Sequence, residues 1–542
     1  MDEALPSDVQ VLAQGTGIAL PGQVFGRVIT FVGLTILARW LGPPAFGLYA
    51  IGWTMLKVGS TVASFGLPVG VVRLGSQERG RNPARFRGVV LQSLGSALGI
   101  GALLGLGLYL AAPWLAGTVF NNPNLVVVLR LFAPAMALAA GLHVAAAATR
   151  ITQKVHFSIL ATELMQPGLY LILSVAALVF GGGLQGAILA ALTSYAVAFL
   201  AAVVFMVRLF PEVKAVRSGV ESALGKLLPI AIPVSLAVTF ATVTVWVDRL
   251  IIGAFRPMAS VGVYQAVSQA STLFAVILAS VSLTFGPMVA NLSLDRDRSR
   301  MLELFRVSTK WTVYVSLPIL LVVWFAAPEI VRALYGPAYV LGAQALILLT
   351  VGQILNAATG PTGPFLNMTG HHLTWFRLSG LALITNVILG LTLVPRWGLE
   401  GAAVSTAISL GSLSLASLVA SKRILGAWPY DRRFTKVLVA ALATVAFLGI
   451  MEAVLPLHGA LKVALMAAGA LAVFTGVVGG LGLDPEDRAF FRTVGQVVGL
   501  GAEASRRPTL NRAQVKTWTG DAANSSKRPP SGDSGQSDGS LT

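Results

Sequence analysis

Fourteen long apolar runs constrain this chain more than any other feature of its sequence. A helix that crosses the hydrocarbon core of a bilayer needs about 20 mostly apolar residues. The runs cover residues 14–39, 46–73, 88–117, 125–149, 159–180, 183–209, 227–254, 262–292, 307–327, 341–368, 377–395, 399–421, 435–455 and 459–482. This pattern predicts an all-α polytopic membrane protein with about fourteen transmembrane helices, termed spans one to fourteen in chain order.

The composition supports a membrane protein and excludes several other classes. Hydrophobic residues make up 55% of the chain, charged residues only 11%, and the mean hydropathy is +0.77. A soluble domain carries about a quarter charged residues, so an ordinary soluble enzyme, a disordered regulator and a DNA-binding domain are excluded. The chain contains 0 cysteines, which excludes disulfides, thiolate metal sites and cysteine nucleophiles. Met1-Asp2-Glu3 lacks the basic start of a signal peptide, so the first run is expected to be retained.

The basic residues predict the orientation in the membrane. Of the 39 Lys and Arg, 30 fall in the segments that follow the even-numbered spans, including the segment after span fourteen. These segments share one face, termed the basic face; the opposite one is termed the distal face. Cytoplasmic loops are enriched in Lys and Arg. The pattern therefore predicts a multi-pass protein of the cell membrane, with both termini cytoplasmic.

The chain also repeats itself at one offset. Gly47-Leu48-Tyr49 opens span two and Gly262-Val263-Tyr264 opens span eight, 215 residues later. Gly183-Leu184-Gln185-Gly186-Ala187 and Gly398-Leu399-Glu400-Gly401-Ala402 open spans six and twelve at the same offset. Because six spans separate the copies, the two halves have the same orientation. Two six-helix lobes facing each other are a known transporter plan, with the substrate at their interface.

The repeat divides the chain into four predicted regions. They are an N-terminal lobe over 11–210, a C-terminal lobe over 227–423, two further spans over 435–482, and a cytoplasmic tail over 483–542. The tail is rich in Ser, Gly and Asp near its end, a composition that cannot bury a core. We therefore expect it to be largely disordered.

Two segments resemble a known family. The stretch from Leu37 to Ala50, with Arg39-Trp40-Leu41-Gly42-Pro43, resembles the first distal turn of the polysaccharide (Wzx-type) flippases of the multidrug/oligosaccharidyl-lipid/polysaccharide exporter superfamily. Val247-Asp248-Arg249-Leu250-Ile251-Ile252-Gly253, followed by Val261-Gly262-Val263-Tyr264, resembles that family's seventh helix and the turn after it. The resemblance covers spans one to twelve. It implies fourteen helices, two six-helix lobes and export of oligosaccharide linked to an undecaprenyl-type lipid.

Charged residues inside the spans mark candidate sites, because a charge at the bilayer centre costs a few kcal/mol or more. Arg27 lies near the middle of span one and Lys57 near the middle of span two, at similar depth. No acidic residue lies between Asp8 and Glu78 in the sequence. Unpaired cations suit an anionic ligand such as a pyrophosphate-linked lipid, so we predict a cationic cavity. The alternatives are a side chain that reaches the membrane surface or a partner from another span.

Further candidate residues extend this prediction. Arg249, and less strongly Arg130 in span four, are predicted to join Arg27 and Lys57 in the cavity. Asp248 and Glu163 are predicted to serve either coupling or structure. Pro21 and Pro233 lie in the first spans of the two lobes, where a helix kink would help gating; a static kink is the alternative.

Several motifs do not support an enzyme, cofactor or metal site. Gly219 to Lys226 resembles a phosphate-binding loop, but Leu227 stands where Ser or Thr should hold Mg²⁺. His371-His372 is a pair without Cys or a nearby acid, so no metal site is predicted. No acid–base pair or nucleophile constellation stands out. We expect neither enzymatic activity nor a cofactor.

The predicted function is therefore a flippase that moves lipid-linked, undecaprenyl-pyrophosphate oligosaccharide from the inner to the outer leaflet for cell-surface polysaccharide assembly. The expected partners are this anionic lipid-linked oligosaccharide, membrane lipids, and a polysaccharide polymerase or glycosyltransferases, with no nucleic acid. Two alternatives stay open: a flippase for the peptidoglycan precursor lipid II, and a cation-coupled multidrug exporter of the same superfamily. The exporter would use Asp248, whereas Arg27 and Lys57 would repel its substrate.

Overall fold

The computed structural model describes residues 5–152, 155–213, 221–294, 297–431, 433–454, 459–482 and Asp484, and this part consists of helices and the turns that connect them, without strands. The main helices are Leu5–Ser64, Leu67–Glu78, Pro83–Trp114, Leu125–Thr149, Val155–Ile159, Gln166–Val179, Gly183–Leu209, Leu224–Phe255, Met258–Leu294, Arg298–Tyr335, Ala343–Thr359, Thr362–Met368, His372–Leu425, Arg433–Val454 and Ala460–Gly480. Two π-helical segments, Leu115–Val119 and Leu160–Met165, lie within spans three and five.

Two of these helices each contain two spans. Leu5–Ser64 is broken at Gly42, where φ is 72°, and His372–Leu425 is broken at Gly398, where φ is 60°. A residue with a Cβ is strained at such a positive φ, which glycine adopts freely. Eleven helical segments of the described chain are long and apolar enough to cross a membrane, and two of them carry these breaks. These eleven segments therefore contain thirteen spans, and the helix Met258–Leu294 is the fourteenth. The predicted fold class is confirmed.

The backbone shows the internal repeat directly. Gly183 and Gly398 share a position in the repeat, and both have positive φ, of 51° and 60°. Asn121 and Gly336 are also 215 residues apart, and their φ values are 45° and 99°. The same tight turns therefore recur at the same places in both halves, as expected of two lobes related by parallel repetition.

The backbones of the two lobes are in close contact at the distal ends of spans two and eight. A Cβ built on Gly262 would lie 2.9 Å from the backbone nitrogen of Gly47 and closer still to the carbonyl oxygen of Pro43. A Cβ built on Gly47 would meet the carbonyl of Met258, with the carbonyl carbon at 2.7 Å. Pro43 and Met258 are themselves 215 residues apart, so the contact is symmetric. We term these four residues the glycine crossing.

Spans thirteen and fourteen pack against span nine. The buried Lys462 amine lies 2.8 Å from a carboxylate oxygen of Glu329, just after span nine in the same helix, and 2.8 Å from one of Glu452 in span thirteen. These ion pairs tie the added helices to the C-terminal lobe near the distal face. The predicted tail, 483–542, lies outside the described residues except for Asp484. The domain boundaries and the orientation of the termini stay predictions.

Candidate functional site: a cavity between the lobes

A cavity of about 870 Å³ lies between the two lobes. Side chains from spans one, two and four to eight line it. It extends from Pro68 and Arg150, at the basic-face ends of spans two and four, to Gln265 in the distal half of span eight. Of the predicted site residues, Arg27, Lys57, Arg249 and Glu163 line this cavity. The structure thus brings together four of the residues that the sequence singles out.

Lys57 is held in place by a cluster of aromatic side chains within the N-terminal lobe. Its amine donates a hydrogen bond to the Tyr195 hydroxyl at 2.8 Å and lies 4.9 Å from the centre of the Trp53 ring. Trp53 in turn packs against Tyr49 and Tyr170, with ring centres 5.8 and 5.4 Å apart. Aromatic faces attract a cation without neutralising its charge. Lys57 is therefore held in position by uncharged side chains, which do not compete with an anionic ligand for its amine.

Two other cations of the N-terminal lobe face the cavity. Arg27 is exposed on span one, and no hydrogen bond or ion pair joins it to another residue of the described chain. Arg150 donates from Nε to the Ser158 hydroxyl at 2.8 Å. The sequence placed Arg150 only among the loop cations of the basic face. It reaches the cavity because span four ends at Thr149 and a 3₁₀ turn, Arg150–Thr152, follows directly.

Asp248 and Arg249 are adjacent, yet they have separate partners. Asp248 accepts hydrogen bonds from the Tyr264 hydroxyl at 3.0 Å and the Thr406 hydroxyl at 2.7 Å, all within the C-terminal lobe. Its other oxygen, Oδ1, is buried with no hydrogen-bond partner among the described residues. Arg249 donates from Nε to Gln265 at 2.9 Å and also bonds the Ser268 hydroxyl. The carboxylate is thus turned into the lobe, while Arg249 lines the cavity.

Glu163 contributes a carboxylate to the cavity wall. It lies in the π-helical segment Leu160–Met165, and such segments are frequent at functional sites. A Cβ on Gly26 of span one would lie 3.1 Å from the Cα atom of Glu163, so the two helix backbones touch here. Span five therefore presents this carboxylate on the same side of the cavity as Arg27. The predicted role of Glu163, in coupling or in structure, stays a prediction.

Arg130 does not line this cavity. Its guanidinium is exposed on span four and lies 4.9 Å from the centre of the Tyr109 ring of span three. The depth of Arg130 follows from its position along span four, whereas the direction of its side chain depends on how that helix packs against its neighbours. Pro21 and Pro233 lie within the helices Leu5–Ser64 and Leu224–Phe255, and their side chains are outside the described part. The predicted gating kinks therefore stay predictions.

The cavity is chemically suited to an anionic, hydroxyl-rich ligand. Among the described residues of the lining, four are cationic, Arg27, Lys57, Arg150 and Arg249, and one is a carboxylate, Glu163. Polar side chains that can bond sugar hydroxyls are interspersed with them, namely those of Thr30, Thr61, Ser64, Thr162, Gln166 and Gln269. The described residues hold no group of three His, Cys, Asp or Glu that could bind a metal ion.

Known proteins place the chain in a family. The family model described as "Polysaccharide biosynthesis protein" matches residues 36–341, more than half of the chain. The chain belongs to this polysaccharide biosynthesis family. The match includes the glycine crossing, Lys57 and Asp248-Arg249.

Two curated proteins of Haloferax volcanii resemble this member of the family. The probable flippase AglR is 26% identical over 33% of this chain and 37% of its own length. The probable low-salt glycan biosynthesis flippase Agl15 is 24% identical over 30% of this chain and 35% of its own length. The chain thus spans little more than a third of the length of the curated relatives it matches.

Solved structures share the fold of this polysaccharide biosynthesis protein. The lipid II flippase MurJ, in an inward closed conformation, superposes with a TM-score of 0.68 at 13% identity, covering 84% of this chain and 96% of MurJ. An inward-facing multidrug resistance MATE family transporter of the MOP superfamily gives 0.61 at 15% identity, covering 74% of this chain and 94% of the transporter. At these identities the likeness shows the fold alone, that of a multi-pass helical membrane protein.

Proposed function

We propose that the protein is a flippase for lipid-linked oligosaccharide, acting by alternating access of the cavity to the two faces of the membrane. The observation that carries the proposal is the cluster of Arg27, Lys57, Arg150 and Arg249 around one cavity between the lobes. The pyrophosphate of a polyprenyl carrier would lie among these cations, since charge-assisted hydrogen bonds to phosphate are strong. The sugars would contact the interspersed hydroxyl and amide groups, and the lipid tail would stay in the bilayer.

The relatives and the topology support the same assignment. AglR and Agl15 are both named as probable flippases, the latter in glycan biosynthesis. We place the basic face on the cytoplasmic side of the cell membrane, following the bias of Lys and Arg. The cavity reaches that face at Pro68 and Arg150, whereas the glycine crossing lies at the distal end. The substrate would therefore enter from the cytoplasmic leaflet. A polysaccharide polymerase or glycosyltransferases would be its functional partners.

Flipping in proteoliposomes tests the proposal. We expect the wild type to move a fluorescent undecaprenyl-pyrophosphate oligosaccharide between leaflets at least about tenfold faster than protein-free liposomes, a barrier reduction of about 1.4 kcal/mol or more. A membrane-impermeant quencher reports the leaflet. Protein-free liposomes correct for spontaneous exchange, and a cationic dye serves as the competing substrate.

Two other outcomes of this experiment would favour the two alternative functions. Faster flipping of fluorescent lipid II than of the oligosaccharide lipid would make the protein a peptidoglycan-precursor flippase. No flipping, with proton- or Na⁺-driven dye efflux that is lost in Asp248→Asn, would make it a cation-coupled exporter. In that exporter Asp248 would carry the coupling cation.

A further inference from the structure

A second cationic pocket lies at the basic face of the C-terminal lobe, away from the central cavity. Its volume is about 460 Å³, within the range of small-molecule sites. Arg298, His371, Thr374 and Arg423 provide its polar rim, and Leu366 and Ile424 provide part of an apolar wall. These residues lie at or next to the basic-face ends of spans nine to twelve, which converge at this point.

The two arginines of the pocket are not paired with a carboxylate of the described chain. Arg298 and Arg423 are both exposed, and neither has an ion pair or a hydrogen bond with another residue of the described chain. The neighbouring Asp297 is turned to its own helix start, where it accepts a hydrogen bond from the Arg300 backbone N–H at 3.0 Å and one from the Ser299 hydroxyl at 2.7 Å. The bond from Arg300 is the main reason that the pKa of Asp297 lies below its usual value. Asp295 and Arg296 lie outside the described residues.

The backbone adds to this positive character. The helix that contains span eleven begins at His372, and its N-terminus lies beside the pocket. Helix N-termini favour anions. The His371 Nδ1 lies 3.2 Å from the Thr369 hydroxyl, which leaves Nε2 of the ring available. Cations beside an apolar wall match an amphiphile that carries a phosphate, and basic pockets between spans on the cytoplasmic side bind anionic headgroups.

We propose that this pocket binds the phosphate of an anionic membrane lipid, independently of the substrate in the central cavity. Arg298 and Arg423 hold the phosphate oxygens, Thr374 donates a hydrogen bond, and Leu366 and Ile424 contact the lipid beyond the headgroup. The apolar wall favours a lipid over free phosphate, which has no apolar part. Such a site makes the C-terminal lobe sensitive to the charge of the surrounding leaflet.

Calorimetric titration of the full chain in an uncharged detergent tests the proposal. The probes are dihexanoyl phosphatidic acid and sodium phosphate. The titrations use the Arg27→Gln/Lys57→Gln background, so that the central cavity does not dominate the heat. We expect one equivalent of the lipid to bind, and Arg298→Gln/Arg423→Gln to weaken its binding about tenfold or more, since two charge-assisted contacts are lost.

A matched control removes two charges from the same face. Arg300 and Arg377 are exposed and do not line the pocket, so Arg300→Gln/Arg377→Gln should leave the lipid affinity within about twofold, under 0.5 kcal/mol. Arg423→Lys keeps the charge and should weaken binding less than Arg423→Gln. Equal affinity for sodium phosphate would support the site and assign it to soluble phosphate. No binding of either probe, or an equal loss in the control, would overturn the proposal.

Discussion

Replacing Arg27 and Lys57 together by glutamine is expected to slow flipping of lipid-linked oligosaccharide about 100-fold, and each single replacement about tenfold. A hydrogen bond to a charged group contributes about 1.5–3 kcal/mol, and about 1.4 kcal/mol corresponds to a factor of ten. Both side chains face one cavity, and neither is neutralised by a carboxylate within the described chain. Their loss therefore leaves only Arg150 and Arg249, of the four cations that line the described part of the cavity, to attract a pyrophosphate.

Arg130 provides the matched control for this experiment. It is also an arginine within a span, but it stacks on Tyr109 outside the cavity. Arg130→Gln should leave flipping within about twofold of the wild type, a change of under 0.5 kcal/mol. Lys57→Arg, which keeps the charge, should retain more activity than Lys57→Gln. If the double glutamine variant folds and flips as fast as the wild type, or if Arg130→Gln is equally slow, the cavity is not the anion site.

The contrast between Lys57 and Arg130 shows how far sequence reasoning reaches into the site. Counting residues along a span gives the depth of a charge in the membrane, and both residues were selected on that basis. The direction of a side chain depends on how the helix is rotated against its neighbours. That rotation is set by packing between distant segments, such as Trp53 against Tyr170 and Tyr195. Arg150 was missed for a related reason, because a short turn after span four redirects it.

The fold was easier to predict than the site because its signals are local. Each span is a long, mostly apolar run, and the breaks within Leu5–Ser64 and His372–Leu425 each carry a glycine whose positive φ disfavours a residue with a Cβ. The repeat was visible because Gly183 and Gly398 serve the same turn in both lobes. The glycine crossing was not foreseen, although Gly47 and Gly262 had been matched. The sequence indicates that the two glycines are equivalent, but not that they touch.

Replacing a glycine of the glycine crossing by alanine is expected to prevent the distal end of the cavity from closing fully. Gly47→Ala or Gly262→Ala would place a methyl group against backbone atoms of the opposite lobe at less than 3.0 Å. Backbone atoms cannot move aside as a flexible side chain can, so spans two and eight must separate. Overpacking of this kind costs about 1–3 kcal/mol, which shifts the balance between closed and open distal states by about five- to 150-fold. Since alternating access requires each end to close in turn, flipping should fall by a comparable factor.

Thiol labelling can detect this opening directly, because the chain has no cysteine of its own. Val245→Cys places a single thiol in the cavity wall, where a membrane-impermeant maleimide added from the distal side should react slowly. Adding Gly262→Ala should speed labelling about tenfold, in line with the shift in the closed state. Gly99→Ala is the control, because a Cβ there meets no atom within 4 Å, and an alanine inside a helix is slightly stabilising. Unchanged labelling in both Gly47→Ala and Gly262→Ala would mean that the crossing does not close the distal end. If labelling is faster in Gly47→Ala and Gly262→Ala but not in Gly99→Ala, the close backbone contact at the glycine crossing sets the balance between the closed and open distal states.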